Sequence, residues 1–79
     1  DVEGTRPACV TVSAVARAQA IGYDHVVTIR NACDAPVACR VSTDVAPSPQ
    51  SVSVPSRGAG DVLTWRGSPA RVFTPRVDC

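Results

Sequence analysis

A chain of 79 residues with a formal net charge of +1 holds one domain and is too short for a generous hydrophobic core. The near-neutral balance, with no basic run or stripe, excludes a dedicated nucleic-acid module, and no stretch approaches the ~20 apolar residues of a membrane-spanning helix. Every basic side chain is arginine, which excludes lysine-based catalysis and lysine isopeptide cross-links.

The only aromatic side chains are Tyr23, Trp65 and Phe73, so valine carries most of the apolar mass. Small β-branched side chains suit a pleated sheet, but each buries less area than leucine or phenylalanine, at roughly 25 cal/mol per Å². Cysteine is the expected remedy. Cys9, Cys33, Cys39 and Cys79 span the chain and are even in number, which in a domain this small implies two disulfides and an oxidising compartment.

In chain order, residues 1–7 are polar, with Gly4 and Pro7, and are expected as a flexible N-terminal arm ahead of a single disulfide-stabilised domain over residues 8–79. The run from Cys9 to Ala16 alternates Val10, Val12, Ala14 and Ala16 against Thr11, Ser13 and Val15. Alanine content alone would allow a helix over its second half, but Gly22 closes it quickly and a strand followed by a turn is the better reading. A second strand is predicted from Tyr23 to Ala32, with Val27, Ile29 and Asn31 sharing a face. Cys33-Asp34-Ala35-Pro36 then reads as a turn. The clearest alternation lies from Val37 to Val45, where Cys39, Val41, Thr43 and Val45 oppose Arg40, Ser42 and Asp44. That pattern marks a half-buried antiparallel strand with Cys39 turned inward.

Ala46-Pro47-Ser48-Pro49-Gln50 is a proline-stiffened connection that takes the chain out of the sheet. A short strand from Ser51 to Val54 and a strand from Val62 to Arg66 flank a glycine-rich segment, Pro55 to Asp61, that reads as a hairpin loop. Trp65 shares parity with Leu63 and supplies bulk the core otherwise lacks, so it is expected inside. The alternative is an exposed ring for stacking on sugar. After a turn at Gly67-Ser68-Pro69, the last strand is predicted from Arg71 to Cys79, with Pro75 marking an edge or a bulge.

Four cysteines allow three pairings. A hairpin turning at Ala20 to Gly22 sets Cys9 opposite the Ala32/Cys33 end of its partner, which favours Cys9–Cys33 and leaves Cys39–Cys79. The rival is Cys33–Cys39 across the short loop, with Cys9–Cys79 joining the ends. Neither zinc nor copper suits this ligand inventory, which has one histidine, no methionine and no CxxC pair. No metal or cofactor is expected. Asp24 and His25 are strand neighbours that point to opposite faces, so Asp24 cannot orient His25 as a triad member would, and His25 is expected as a solvated surface residue. No GxSxG elbow, DxDxDG loop or phosphate cradle is present.

These observations converge on an all-β, small antiparallel β-sandwich of six or seven strands. Its general shape is immunoglobulin-like, without the Cys…Trp…Cys order of antibody domains. The expected role is a secreted, extracellular or periplasmic, non-enzymatic structural or adhesion module that binds a protein partner or itself. Candidate binding residues are Arg30 and Arg40, expected on neighbouring strands as a polar patch, with Pro47, Pro49, Arg57 and Trp65. Two alternatives stand beside this. One is a hydrolase inhibitor presenting the Pro47–Pro49 loop or Arg57. The other is a small glycan-binding module using Trp65. Self-association is expected through edge strands, the last strand above all, with residues 1–7 reaching a neighbour.

Overall fold

A computed structural model of the protein describes residues 2–79; Asp1, the first residue of the expected arm, lies outside them. Six strands form in chain order: β1 (Val10–Ala18), β2 (Tyr23–Asn31), β3 (Val37–Thr43), β4 (Gln50–Val54), β5 (Ala59–Ser68) and β6 (Pro75–Asp78). They make two antiparallel sheets of three strands, ordered β1-β2-β5 and β4-β3-β6. The alanine-rich stretch is strand throughout. With β-branched or polar residues on either side of each alanine, it extends β1 against all nine residues of β2, from Val10↔Asn31 to Ala18↔Tyr23.

The two sheets share one core. Val10, Val27, Ile29 and Val62 come from the first sheet, and Cys39, Val41, Val54 and Val77 from the second. The period-2 pattern decided these faces. Val27, Ile29 and Asn31 are buried together on β2, as are Cys39, Val41 and Thr43 on β3. The chain passes between sheets from β2 to β3, from β4 to β5 and from β5 to β6, so only β1–β2 and β3–β4 are sequential hairpin partners. The Pro55–Asp61 segment is therefore a crossover rather than a hairpin loop. Pro55 removes a ladder donor at the end of β4, and Arg57 adopts φ 61°, turning the chain toward the other sheet.

Both disulfides follow the register: Cys9–Cys33 and Cys39–Cys79, with no free cysteine. Cys9 precedes β1 and Cys33 follows β2; Cys39 lies on β3 and Cys79 follows β6. Each bridge thus staples neighbouring strands of one sheet, and neither crosses the sandwich.

Several expectations need correcting. β6 begins at Pro75 instead of Arg71, because a proline fits the first position of a strand far better than its interior. Trp65 is 45% exposed and Leu63 40% exposed, while Val62 and Thr64 are buried. The bulkier parity of β5 was the wrong guide. Val62 pairs with the fully buried Val27, which turns Leu63 outward, and a register irregularity between His25 and Val26 separates Leu63 from Trp65. His25, expected in solvent, is fully buried. Arg30 and Arg40 lie on β2 and β3, which belong to different sheets, so they form no common patch. Finally, residues 3–6 run alongside β6. Glu3 N donates to Pro75 O, Val77 N to Glu3 O and Cys79 N to Thr5 O, each at 2.9 Å. The edge of the last strand, expected to be open, is occupied by the chain's own N-terminal segment.

Candidate functional site

The second sheet brings three of the sequence-derived candidates together. On β3, alternation turns Arg40 and Ser42 away from the core that holds Cys39, Val41 and Thr43. Antiparallel pairing sets Ser42 beside Arg76 and Arg40 beside Asp78 of β6. Pro47 and Pro49 complete the wall, so that Arg40, Ser42, Pro47, Pro49, Arg76 and Asp78 line one surface depression. A second depression shares Ser42, Pro47 and Arg76 and extends the surface to Asp44 and Thr74.

Local bonding positions the proline loop. The Thr43 hydroxyl accepts from Val45 N at 3.1 Å and Ala46 N at 2.8 Å, closing a side-chain turn at the end of β3. Asp44 ties this turn to the approach to β6, accepting from Thr74 N at 2.9 Å through its carboxylate. Across the face, Arg76 Nε donates to Asp78 Oδ2 at 3.0 Å, and Thr5 N donates to Asp78 Oδ1 at 2.9 Å. These two bonds, the Thr5 amide first and Arg76 second, hold the Asp78 carboxyl below its ordinary value of 3.8. Among the described residues the ion pairs are Arg57–Asp34 and Arg76–Asp78, which leaves the exposed guanidinium of Arg40 unpaired on this face. The surface therefore offers one free forked donor, one donor already oriented by a carboxylate, a stiff apolar wall, and an acidic flank formed by Glu3 and Asp44.

Arg30 and Arg57 meet elsewhere. They line a depression at the end of the first sheet with Asn31, Gly58 and Ala59. Arg57 Nη2 contacts Asp34 Oδ1 at 2.5 Å, with both side chains largely in solvent, a geometry that contributes little to stability. The residue that organises this end is one the sequence reading treated only as a face marker. Asn31 is buried, its Nδ2 lies within hydrogen-bonding distance of Ala35 O, Val54 O and Pro55 O, and its Oδ1 accepts from Cys33 N. One amide thus joins β2, the following turn and the crossover that leaves β4. A polar residue at a core-parity position directly before a turn was the available signal.

His25 also has a structural setting. Its ring stacks on Phe73 with centroids 4.1 Å apart. Nε2 lies 2.7 Å from Ala70 O, so this nitrogen carries the proton, since a carbonyl can only accept. Nδ1 is buried without a partner. Asp24 faces away and accepts from Gly67 N at 3.1 Å, so the two neighbours share no hydrogen-bonded unit. Trp65, the remaining candidate, stands apart on β5, half in solvent.

No group of three or more histidine, cysteine, aspartate or glutamate side chains arranged for metal binding occurs among the described residues. No protein-family model matches the chain, and no curated protein or solved structure matches it.

Proposed function

We propose that this protein is a secreted, non-enzymatic protein-binding module of the structural or adhesion type, which meets its partner through the outward face of β4-β3-β6. Its two disulfides in a small domain suit an oxidising extracellular setting. The observation that carries the reading is the convergence of Arg40, Arg76, Pro47 and Pro49 on one surface built by paired strands and an anchored loop. Arginine's planar fork suits bidentate recognition of a carboxylate. Prolines present apolar surface that loses little conformational entropy on binding. The partner chemistry that fits is an extended segment of another protein that brings a single carboxylate to Arg40, because Glu3, Asp44 and Asp78 on the same surface disfavour a run of acidic residues.

Selection of a displayed random-peptide library on the immobilised protein tests this. Peptides bearing Asp or Glu should be enriched, and Arg40→Ala should weaken them about tenfold, the effect of one charge-assisted hydrogen bond. Equal binding to the wild type and Arg40→Ala would overturn the assignment of this face. A second reading, glycan binding, is favoured by the 45% exposure of Trp65. Trp65 is the sole tryptophan, so its fluorescence should shift on titration with an oligosaccharide panel if that reading holds.

A further inference from the structure

The four sheet edges are defended unequally. β4 is five residues long and sits between Pro49 and Pro55. β5 carries two register irregularities beside β2, and Asp61 and Arg66 place charges on it. β6 is bonded to residues 3–5. Short length, bulges, charge and covering chain are the recognised protections of an edge. Among the described residues, β1 has none of them beyond a single charge, Arg17. It is nine residues, VTVSAVARA, with one charge, no proline and no glycine, and an unbroken ladder to β2.

Which groups β1 offers follows from that ladder. Ala32 N donates to Cys9 O at one end, and Gln19 N donates to Gly22 O at the other. Bonded pairs alternate along an antiparallel ladder, so the odd-numbered residues of β1 bond β2. The N–H and C=O groups of Val12, Ala14, Ala16 and Ala18 point outward. Val10 is outward by the same rule, but its N–H already donates to Pro7 O at 3.0 Å, which closes the edge on that side.

We infer that β1 pairs with β1 of a second copy of this chain, antiparallel, about a two-fold axis through Val15. This register bonds Val12 to Ala18 and Ala14 to Ala16 across the axis, uses every open group from Val12 onward and asks nothing of Val10. It sets Arg17 opposite Ser13 of the partner subunit, so no like charges meet. An axis through Ser13 or Ala14 would require the blocked edge at Val10. Side chains agree with the backbone. Val15 pairs with Val26, and Val26 with Leu63, forming an apolar row on the outward face of the first sheet in which Val26 is covered and the two ends are exposed. Val15 is 45% exposed at the end of that row. The axis places it against Val15 of the partner subunit in a close, non-bonded pair and makes the two rows continuous.

The two-fold lies perpendicular to the sheet, so both copies carry their second sheets on the same side. The dimer therefore presents two Arg40 faces in one direction, a geometry for bivalent attachment. The pairing itself stands independently of what the Arg40 face binds.

Three measurements test the dimer. Sedimentation velocity should show concentration-dependent dimerisation of the wild type in the tens of micromolar. Ala16→Pro deletes an outward N–H and leaves the β2 ladder intact, so it should give a folded monomer with unaltered binding of the selected peptides. Val15→Cys should form an interchain disulfide between the two introduced cysteines, because a non-bonded pair holds its Cα atoms about 4.5 Å apart, within bridging range. Val15→Arg, on an exposed site, repeats the disruption should Ala16→Pro fail to fold. A wild type monomeric at several hundred micromolar overturns the inference. So does a dimer that survives these substitutions without cross-linking through residue 15.

Discussion

The two sheets are built from the same valine-rich material and differ in where they are finished. The β4-β3-β6 sheet is closed at both sides, by prolines around β4 and by residues 3–5 along β6, and its outward face is polar. The β1-β2-β5 sheet keeps a regular open edge and carries the Val15-Val26-Leu63 row outward. A small domain cannot hide all of its apolar surface. Of the exposed large apolar side chains carried on strands, Val15, Leu63 and Trp65 all belong to the first sheet, while Ile21 and Val72 lie in loops. The disulfides respect the same division, one within each sheet. Cohesion between the sheets is left to the valine core and to Asn31, whose amide reaches the crossover from β4 to β5.

Removing one staple at a time should break the comparison most severely. Cys39–Cys79 closes the longer loop, 40 residues against 24 for Cys9–Cys33, and it also holds the terminus of the four-residue β6. Replacing both Cys39 and Cys79 by alanine should cost about 2–5 kcal/mol, more than the equivalent change at Cys9 and Cys33. Cys39 is itself a core residue, so its alanine variant adds a packing loss. Denaturant midpoints of the two double variants check the ranking. Equal midpoints would mean that the sheets depend on their staples alike.

A smaller effect on stability, with a larger one on assembly, is expected at Gly4. This residue adopts φ 97°, and a Cβ there would collide with the Val77 carbonyl. Both the conformation and the close approach require glycine. Gly4→Ala should lift residues 3–5 from β6 while leaving the core in place, because the displaced bonds lie at the sheet's margin. The second sheet then acquires an open edge of its own. Amide exchange at Val77 and Cys79, whose N–H groups bond to Glu3 and Thr5, should accelerate. Light scattering should reveal species larger than a dimer, since each copy would carry two open edges. Unchanged exchange at both amides would show that these residues do not guard β6.

Period and turn chemistry made most of this architecture readable in advance. Strands β1 to β4 begin within a residue of their predicted positions, because alternating valines are bounded there by Gly22, Pro36 and the Pro47–Pro49 pair. The cysteine pairing followed from the hairpin register between β1 and β2. What escaped was information that lies between elements. The side of β5 facing inward is set by its pairing to β2, which the local pattern of Leu63 and Trp65 contradicts. His25 is buried because Phe73 and Ala70, more than forty residues later, come to rest against it. The split of Arg30 from Arg40 follows from a sheet-to-sheet crossing that a four-residue turn composition cannot distinguish from a hairpin. Of the candidate site, Arg40, Pro47 and Pro49 were legible as exposed residues near one loop. Arg76 and Asp78 were not, since the pairing of β3 with the last strand is a contact of long sequence separation.

Acid should separate the two edges most finely. Asp78 accepts from Thr5 N and from Arg76, and these bonds lower its carboxyl pKa below 3.8. A group whose folded pKa is lowered contributes stability above its unfolded value and loses it as pH falls through the folded value. The clasp on β6 should therefore be complete at neutral pH and loosen only below about pH 3.8, as the carboxylate that orients Arg76 and accepts from Thr5 takes up a proton. The β1 edge offers backbone groups and the Val15 side chain, none of which titrates in that window. Following the Thr5 and Val77 amide resonances by NMR from pH 6 downward should show a coupled transition in that acidic window, with the Ala14 and Ala16 amides unaffected by it. Asp78→Asn keeps an acceptor oxygen but cannot titrate, so it should abolish the transition. A transition that persists in Asp78→Asn would overturn the assignment of the clasp's acid sensitivity to Asp78.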